Sequence, residues 1–183
     1  MNRAKAVAGQ KGFTLLETMV ALAVLFVGLV ALAAMLATSI AFENSAQADF
    51  IAQQKAAEAV ESIFTARDMQ TVTFAQLQNV SSGGIFLNGA LELCNPGPDG
   101  IVDTADDNCA EPDVILKPGP DGILGTADDI QIVLSTYYKM TRTVTISNIV
   151  GETGVRMIQV TINYQTGMLT RSYTLTTYIS QYA

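Results

Sequence analysis

Lys11-Gly-Phe-Thr-Leu-Leu-Glu17 introduces the stretch that decides the fold, an apolar run that continues from Phe13 to about Phe42. At about 30 residues the run exceeds the ~20 needed to span a bilayer as a helix. Three basic residues precede it, Arg3, Lys5 and Lys11. By the positive-inside rule they predict an N-terminus left in the cytoplasm, with everything beyond Phe42 outside the cytoplasmic membrane. A secretory signal has a shorter apolar region with its small-residue cleavage site after it. Ala46-Gln47-Ala48 fits such a site on paper, but the run before it is about twice too long for that class. A small residue, Gly12, stands before the run, and a carboxylate, Glu17, lies near its start.

Past Phe42 the pattern becomes amphipathic. Phe42, Ala46, Phe50, Ala57, Val60 and Phe64 recur at helical steps with Gln53 filling the gap, and Glu43, Gln47, Gln54, Glu58 and Glu61 occupy other positions. No Gly or Pro occurs between Leu29 and Val80. The spacing predicts one helix from about Thr14 to Arg67, ~80 Å long at 1.5 Å per residue. Its first half (13–42) belongs in a membrane, and its second half (43–68) holds a sheet. A break near Thr38-Ser39, giving two helices, is the alternative. Gly28 is the weak point within the run.

Residues 69–183 form the head. Ser81-Ser-Gly-Gly84 is expected to be a turn and Ile85-Phe-Leu87 a short strand, before an acidic insertion at 94–129. From Ile130 strand patterns dominate. Tyr138, Met140, Val144 and Ile146 alternate with polar residues, Arg142 interrupting the apolar face. Ile158, Val160, Ile162 and Tyr164 form a second face; Tyr173, Leu175, Thr177 and Ile179 form a third. Period-two alternation places one face in a core and one in water, as in an antiparallel sheet lying on a helix. Gly151-Glu-Thr-Gly154 and Thr166-Gly167 are the expected turns. The fold class is thus α+β: a long N-terminal helix packed by its second half on a C-terminal antiparallel sheet.

Lys11-Gly12-Phe13-Thr14-Leu15-Leu16-Glu17 resembles the cleavage and methylation motif of type IV prepilins and pseudopilins. The resemblance covers roughly the first third of the chain. It implies a leader, 1–12, removed by a prepilin peptidase between Gly12 and Phe13, and an N-methyl group on the new N-terminal Phe13. It also implies that Glu17 pairs with the Phe13 α-amino group of a neighbouring subunit. A carboxylate in a membrane span costs about 2.5–3.5 kcal/mol at mid-helix by insertion scales, so it normally has a partner. Hydration of Glu17 at the membrane surface is the plainer alternative. Many pilins carry a proline within this helix, whereas this chain has none before Pro96.

The insertion contains a repeat. Pro96-Gly-Pro-Asp-Gly-Ile-Val-Asp103-Thr-Ala-Asp-Asp107 returns 22 residues on as Pro118-Gly-Pro-Asp-Gly-Ile-Leu-Gly125-Thr-Ala-Asp-Asp129. Closely spaced Asp on a Gly-bent turn suits hard cations, so calcium is expected at Asp99, Asp103 and Asp107 and, more weakly, at Asp121, Asp128 and Asp129. The spacing is not that of an EF-hand. Solvated acidic turns without an ion are the alternative, because Pro, Gly and Asp favour turns by themselves. Cys94 and Cys109 bracket the first repeat, and a disulfide between them is expected of a chain that crosses a membrane.

Composition narrows the function. The chain has no histidine and two cysteines, which leaves little for a zinc site. Its net charge is −7 from 10 basic and 17 acidic residues; removing the leader's three bases leaves seven against 17, a net of −10. Such a surface repels nucleic acid. No nucleophile stands beside an evident base, and no Gly-rich phosphate loop is present, so a non-enzyme is expected. The leading expectation is a minor pilin acting in assembly, adhesion or display. Leu15–Leu22 and Ala56–Glu61 are most similar to the PilV-type minor pilins. Its partners are then other pilin subunits, the prepilin peptidase and the inner-membrane pilus assembly platform. Localisation runs from the inner membrane, crossed once, to the pilus at the cell surface or a periplasmic filament. Two alternatives are a pseudopilin of a type II secretion system and a membrane-anchored calcium-dependent binding module.

Overall fold

The computed structural model describes residues 12–182. The expected leader therefore lies, apart from Gly12, outside the described residues. The chain divides into two compact units, Met1–Glu43 and Asn44–Ala183. Helix α1, Leu15–Asp68, contributes to both.

In the first unit Gly12, Phe13 and Thr14 precede the helix and belong to no regular element. Thr14 caps it: its Oγ1 accepts a hydrogen bond from the Glu17 N–H at 3.3 Å. Thr14-Leu-Leu-Glu17 thus has the Thr-x-x-Glu pattern of a capping box, with its acid in the first turn where the helix dipole favours it. The helix does not break at Thr38-Ser39. Both hydroxyls bond back to the Met35 carbonyl, at 2.8 and 2.9 Å, so neither competes with the helical ladder. Every side chain from Phe13 to Asn44 is exposed, and the segment is long and apolar enough to cross a membrane.

In the second unit the buried stripe of α1 is Ala48, Ile51, Ala52, Ala56, Ala59, Ile63 and Ala66. The expected stripe is corrected: Phe42 and Phe50 are 77% and 67% exposed, and Ala46 and Ala57 are exposed too. Five of the seven buried residues are alanines. They share one core with Ile158, Val160 and Ile162, and small side chains on the helix leave room for the branched ones of the sheet. Val60 and Phe64 pack at the edge of that core.

After α1 the chain makes irregular turns and a short 3-10 turn at Val80–Ser82, ended by Gly83 with φ +84°. The expected strand at Ile85–Leu87 reduces to one bridge between Asn79 and Phe86. Among the described residues eight strands and a second helix follow: β1 (Leu91–Glu92), β2 (Cys94–Asn95), β3 (Asn108–Pro112), β4 (Val114–Lys117), β5 (Ile130–Val133), then helix α2 (Leu134–Tyr137), β6 (Thr141–Ile149), β7 (Glu152–Thr166) and β8 (Leu169–Ser180). The main sheet is antiparallel in the order β1-β6-β7-β8, with separate ribbons β2-β3 and β4-β5. Ile158, Val160, Ile162 and Tyr164 are all buried, as their alternation requires. Tyr138 and Met140 are buried but precede β6. The β6–β7 turn is tighter than expected, at Val150-Gly151, and residues 152–154 belong to β7.

Polar side chains tie irregular segments to this frame. Asn79 stands where a neighbouring strand would: its Nδ2 donates to the Val144 carbonyl and its Oδ1 accepts from the Ile146 N–H, both at 2.8 Å. Arg156 donates to the carbonyls of Phe74 and Leu77 and stacks over the Phe74 ring. Lys55 bridges Glu58 and Asp113 at 2.8 and 2.7 Å, and Asp49 holds Tyr164 and Arg171. The Asp49 carboxylate and burial push the Tyr164 hydroxyl up to about 12, burial being the larger cause.

Candidate functional site

Two sets of residues carry the functional expectations, each lying within one unit. The first is the start of α1. Gly12 has open space around it, and Gly12-Phe13 is non-helical and exposed, as a peptide bond offered to a protease must be. Glu17 sits in the first turn with its side chain exposed.

The second set is the acidic insertion. Cys94 and Cys109 form a disulfide that closes a 15-residue separation around the first repeat, on the β2-β3 ribbon. The two repeats build the same local structure from the same residues. Asp99 Oδ1 accepts from the Ile101 N–H, and Asp121 Oδ1 from the Ile123 N–H, both at 2.8 Å. Asp107 Oδ2 accepts from the Asp103 N–H at 2.7 Å, and Asp129 Oδ2 from the Gly125 N–H at 2.6 Å. Thr104 reaches Asp106 Oδ1 at 2.7 Å, and Thr126 reaches Asp128 Oδ1 at 2.6 Å. These hydroxyl bonds are the main cause that holds Asp106 and Asp128 below the usual carboxylate range. Gly97 and Gly119 lie so close to the Asp106 and Asp128 backbone and carboxyl groups that a Cβ would collide.

The repeats part company at one position and in their surroundings. Asp103 has φ +61° and Gly125 φ +91°, so the turn needs a left-handed residue there, and the first repeat uses an aspartate. The reason is Arg142. Its Nε donates to Asp103 Oδ1 at 3.0 Å, and both side chains are 1% exposed. Arg142, which interrupts an apolar alternation in sequence, does lie on the buried face of β6, with its counter-charge supplied by the loop. Burial pushes Asp103 up to about 6, with the Arg142 guanidinium pulling in the opposite direction. Ile101 and Val102 are buried beside it at 1% and 2% exposure, whereas their counterparts Ile123 and Leu124 are 60% and 58% exposed.

Of the expected calcium ligands, Asp103 is therefore engaged with Arg142, and Asp99, Asp107, Asp121 and Asp129 each accept a backbone N–H of their own turn. Among the described residues no group of three or more His, Cys, Asp or Glu is arranged to hold a metal ion. Sequence reading passed over Asp106, whose role is plain only by analogy with Asp128, and Arg142, whose place in an apolar alternation was the available signal.

Residues 8–33 match the prokaryotic N-terminal methylation motif. No curated protein and no solved structure matches the chain. A methylation motif at the head of an apolar helix long enough to cross a membrane fits a membrane-anchored precursor. The chain is type IV pilin-like, a description that covers pilins and pseudopilins and implies a prepilin peptidase and pilin subunits as its partners.

Proposed function

We propose that this chain is a minor subunit of a type IV pilus, cut between Gly12 and Phe13, N-methylated on Phe13 and assembled through α1. The observation that carries this is the methylation motif over 8–33, set at the start of a fully exposed apolar helix segment. Glu17 is the assembly residue, answering the α-amino group of Phe13 on a neighbouring subunit; an intramembrane carboxylate calls for such a partner. The similarity of Leu15–Leu22 and Ala56–Glu61 to minor pilins, and a head enlarged by the 94–129 insertion, support the minor role in assembly, adhesion or display.

Intact mass of the protein from membranes with and without the prepilin peptidase tests the first step. Loss of residues 1–12 and gain of one methyl group is expected; an uncut chain overturns the proposal and favours an anchored binding module. Glu17→Val is expected to be cut normally yet to be lost from sheared surface filaments. If the processed chain stays in the periplasm and its deletion stops protein secretion while surface pili persist, the pseudopilin role replaces the pilus role.

A further inference from the structure

We propose that the β7-β8 turn, with Met168 and Leu169 at its apex, rests on the lipid surface beside the membrane segment before the subunit is assembled. This rests on the reading that residues 13–42 cross a bilayer, and it adds where the head of the anchored chain touches that bilayer.

Two ties fix the direction of the β7-β8 hairpin along α1 within the unit Asn44–Ala183. At one end Asp49 accepts from the Tyr164 hydroxyl at 2.8 Å and from Arg171 at 2.9 Å. At the other, Arg67 donates to the Gln181 carbonyl, and the Gln181 N–H donates to the Gly154 carbonyl, both at 2.8 Å. The helix from Asp49 to Arg67 spans about 27 Å, and the strand from Arg171 to Gln181 about 33 Å, so the two run side by side. Thr166 pairs with Leu169 across a two-residue turn, Gly167-Met168, with Gly167 at φ +62°. That turn lies about 10 Å beyond Arg171, on the side away from Gln181. It therefore reaches the level of Asn44, the first residue of the unit. In sequence the apolar run ends just before, at Phe42.

The chemistry of the turn suits that place. Met168 and Leu169 are 100% and 63% exposed, an apolar apex that the boundary between lipid headgroups and acyl chains would take out of water. From Thr153 to Ala183 the sequence has no acidic residue, in a chain of net charge −7. No carboxylate on that stretch opposes an anionic bilayer, and Asp49 at its base is answered by Arg171. The other exposed apolar turn, at Val150, differs on both counts. It is followed by Glu152, and it stands at the Gly154 end of β7, away from Asp49. Two side chains alone bind a bilayer weakly, but a membrane segment on the same chain holds them there at high effective concentration.

The test uses the uncut full chain reconstituted into vesicles of phosphatidylethanolamine and phosphatidylglycerol. One environment-sensitive fluorophore is attached at Met168→Cys, or at Val150→Cys as the control, with the native Cys94–Cys109 bridge checked by mass. Quenching by lipids brominated on their acyl chains is expected to be about threefold or more stronger at 168 than at 150. Adding Leu169→Asp to the 168 version is expected to bring quenching down to the control value, with circular dichroism unchanged. Equal quenching at the two positions would overturn the proposal. Strong quenching that survives Leu169→Asp would overturn it too, because the turn would then be merely held near the bilayer. Flotation of the vesicles after an alkaline wash reports the membrane span separately. A chain that floats with its 168 label in water refutes the docking and leaves the span standing, whereas a chain that does not float removes both.

Discussion

Replacing Arg142 by Met tests the interaction that ties the first acidic loop to the sheet. Both Arg142 and Asp103 are 1% exposed and are joined at 3.0 Å. Among the described residues Asp103 Oδ2 and one Arg142 terminal nitrogen have no hydrogen-bond partner, so each charge depends heavily on the other. Removing one member of a buried pair typically costs about 3–5 kcal/mol, because the other is left charged or must neutralise. Arg142→Met and Asp103→Gly are each expected to fall in that range. Glycine is the informative choice at 103, since Gly125 already holds the same left-handed position in the second repeat. The double variant removes both charges and is expected to lose only about 0–2 kcal/mol, giving a coupling energy of several kcal/mol. The unit Asn44–Ala183 contains every buried side chain among the described residues, so urea unfolding of that unit followed by circular dichroism is a suitable assay. Single losses under about 1 kcal/mol, or a double variant equal to the sum of the singles, would refute the reasoning. The pair also predicts a pH signature. Asp103 titrates near 6 in the fold, above its ordinary 3.8. Between those values the native state binds a proton that the unfolded chain does not, so this group makes stability rise as pH falls from about 6 towards 4. Asp103→Gly should remove that slope; an unchanged slope would assign it elsewhere.

Three further outcomes are expected. Replacing both Cys94 and Cys109 by Ser should lower the stability of the head by about 3 kcal/mol, from the loop-closure entropy of a 15-residue bridge. A melting temperature lower by about 6–12 °C is the corresponding readout. Ala56→Leu should destabilise by about 1–3 kcal/mol through overpacking, while Phe50→Ala should stay within about 0.5 kcal/mol at an exposed site; the reverse order in unfolding experiments would restore the phenylalanine stripe as the buried one. Chelation by EGTA should leave the melting temperature of the head unchanged, since each acidic turn closes on its own N–H and hydroxyl groups. A rise of several degrees on adding millimolar calcium would instead place an ion there.

Much of the fold was legible because its signals are periodic and local. The expected helix, Thr14 to Arg67, differs from α1 by one residue at each end, since an unbroken run without Gly or Pro and a Thr-x-x-Glu start are written in neighbouring residues. The β7 face Ile158-Val160-Ile162-Tyr164 follows from alternation alone. The methylation motif needs only the order of Gly12, Phe13 and Glu17 ahead of an apolar run.

Tertiary structure decided what local pattern leaves degenerate. Two faces of α1 have helical spacing, one of phenylalanines and one of alanines. The sheet's branched side chains admit the smaller, a size match invisible to periodicity. Arg142 lies buried because Asp103, 39 residues earlier, reaches it; a charge enters a core only with its partner, and the partner is remote in sequence. The two acidic repeats make the point most sharply. Nearly identical residues give nearly identical hydrogen bonds, so sequence determines the shape of each turn. The Cys94–Cys109 bridge and Arg142 hold the first against the core, whereas the second is carried at the tip of β4-β5 with Ile123 and Leu124 in solvent. Local chemistry sets a turn's form, and the tethers at its ends set what that form touches.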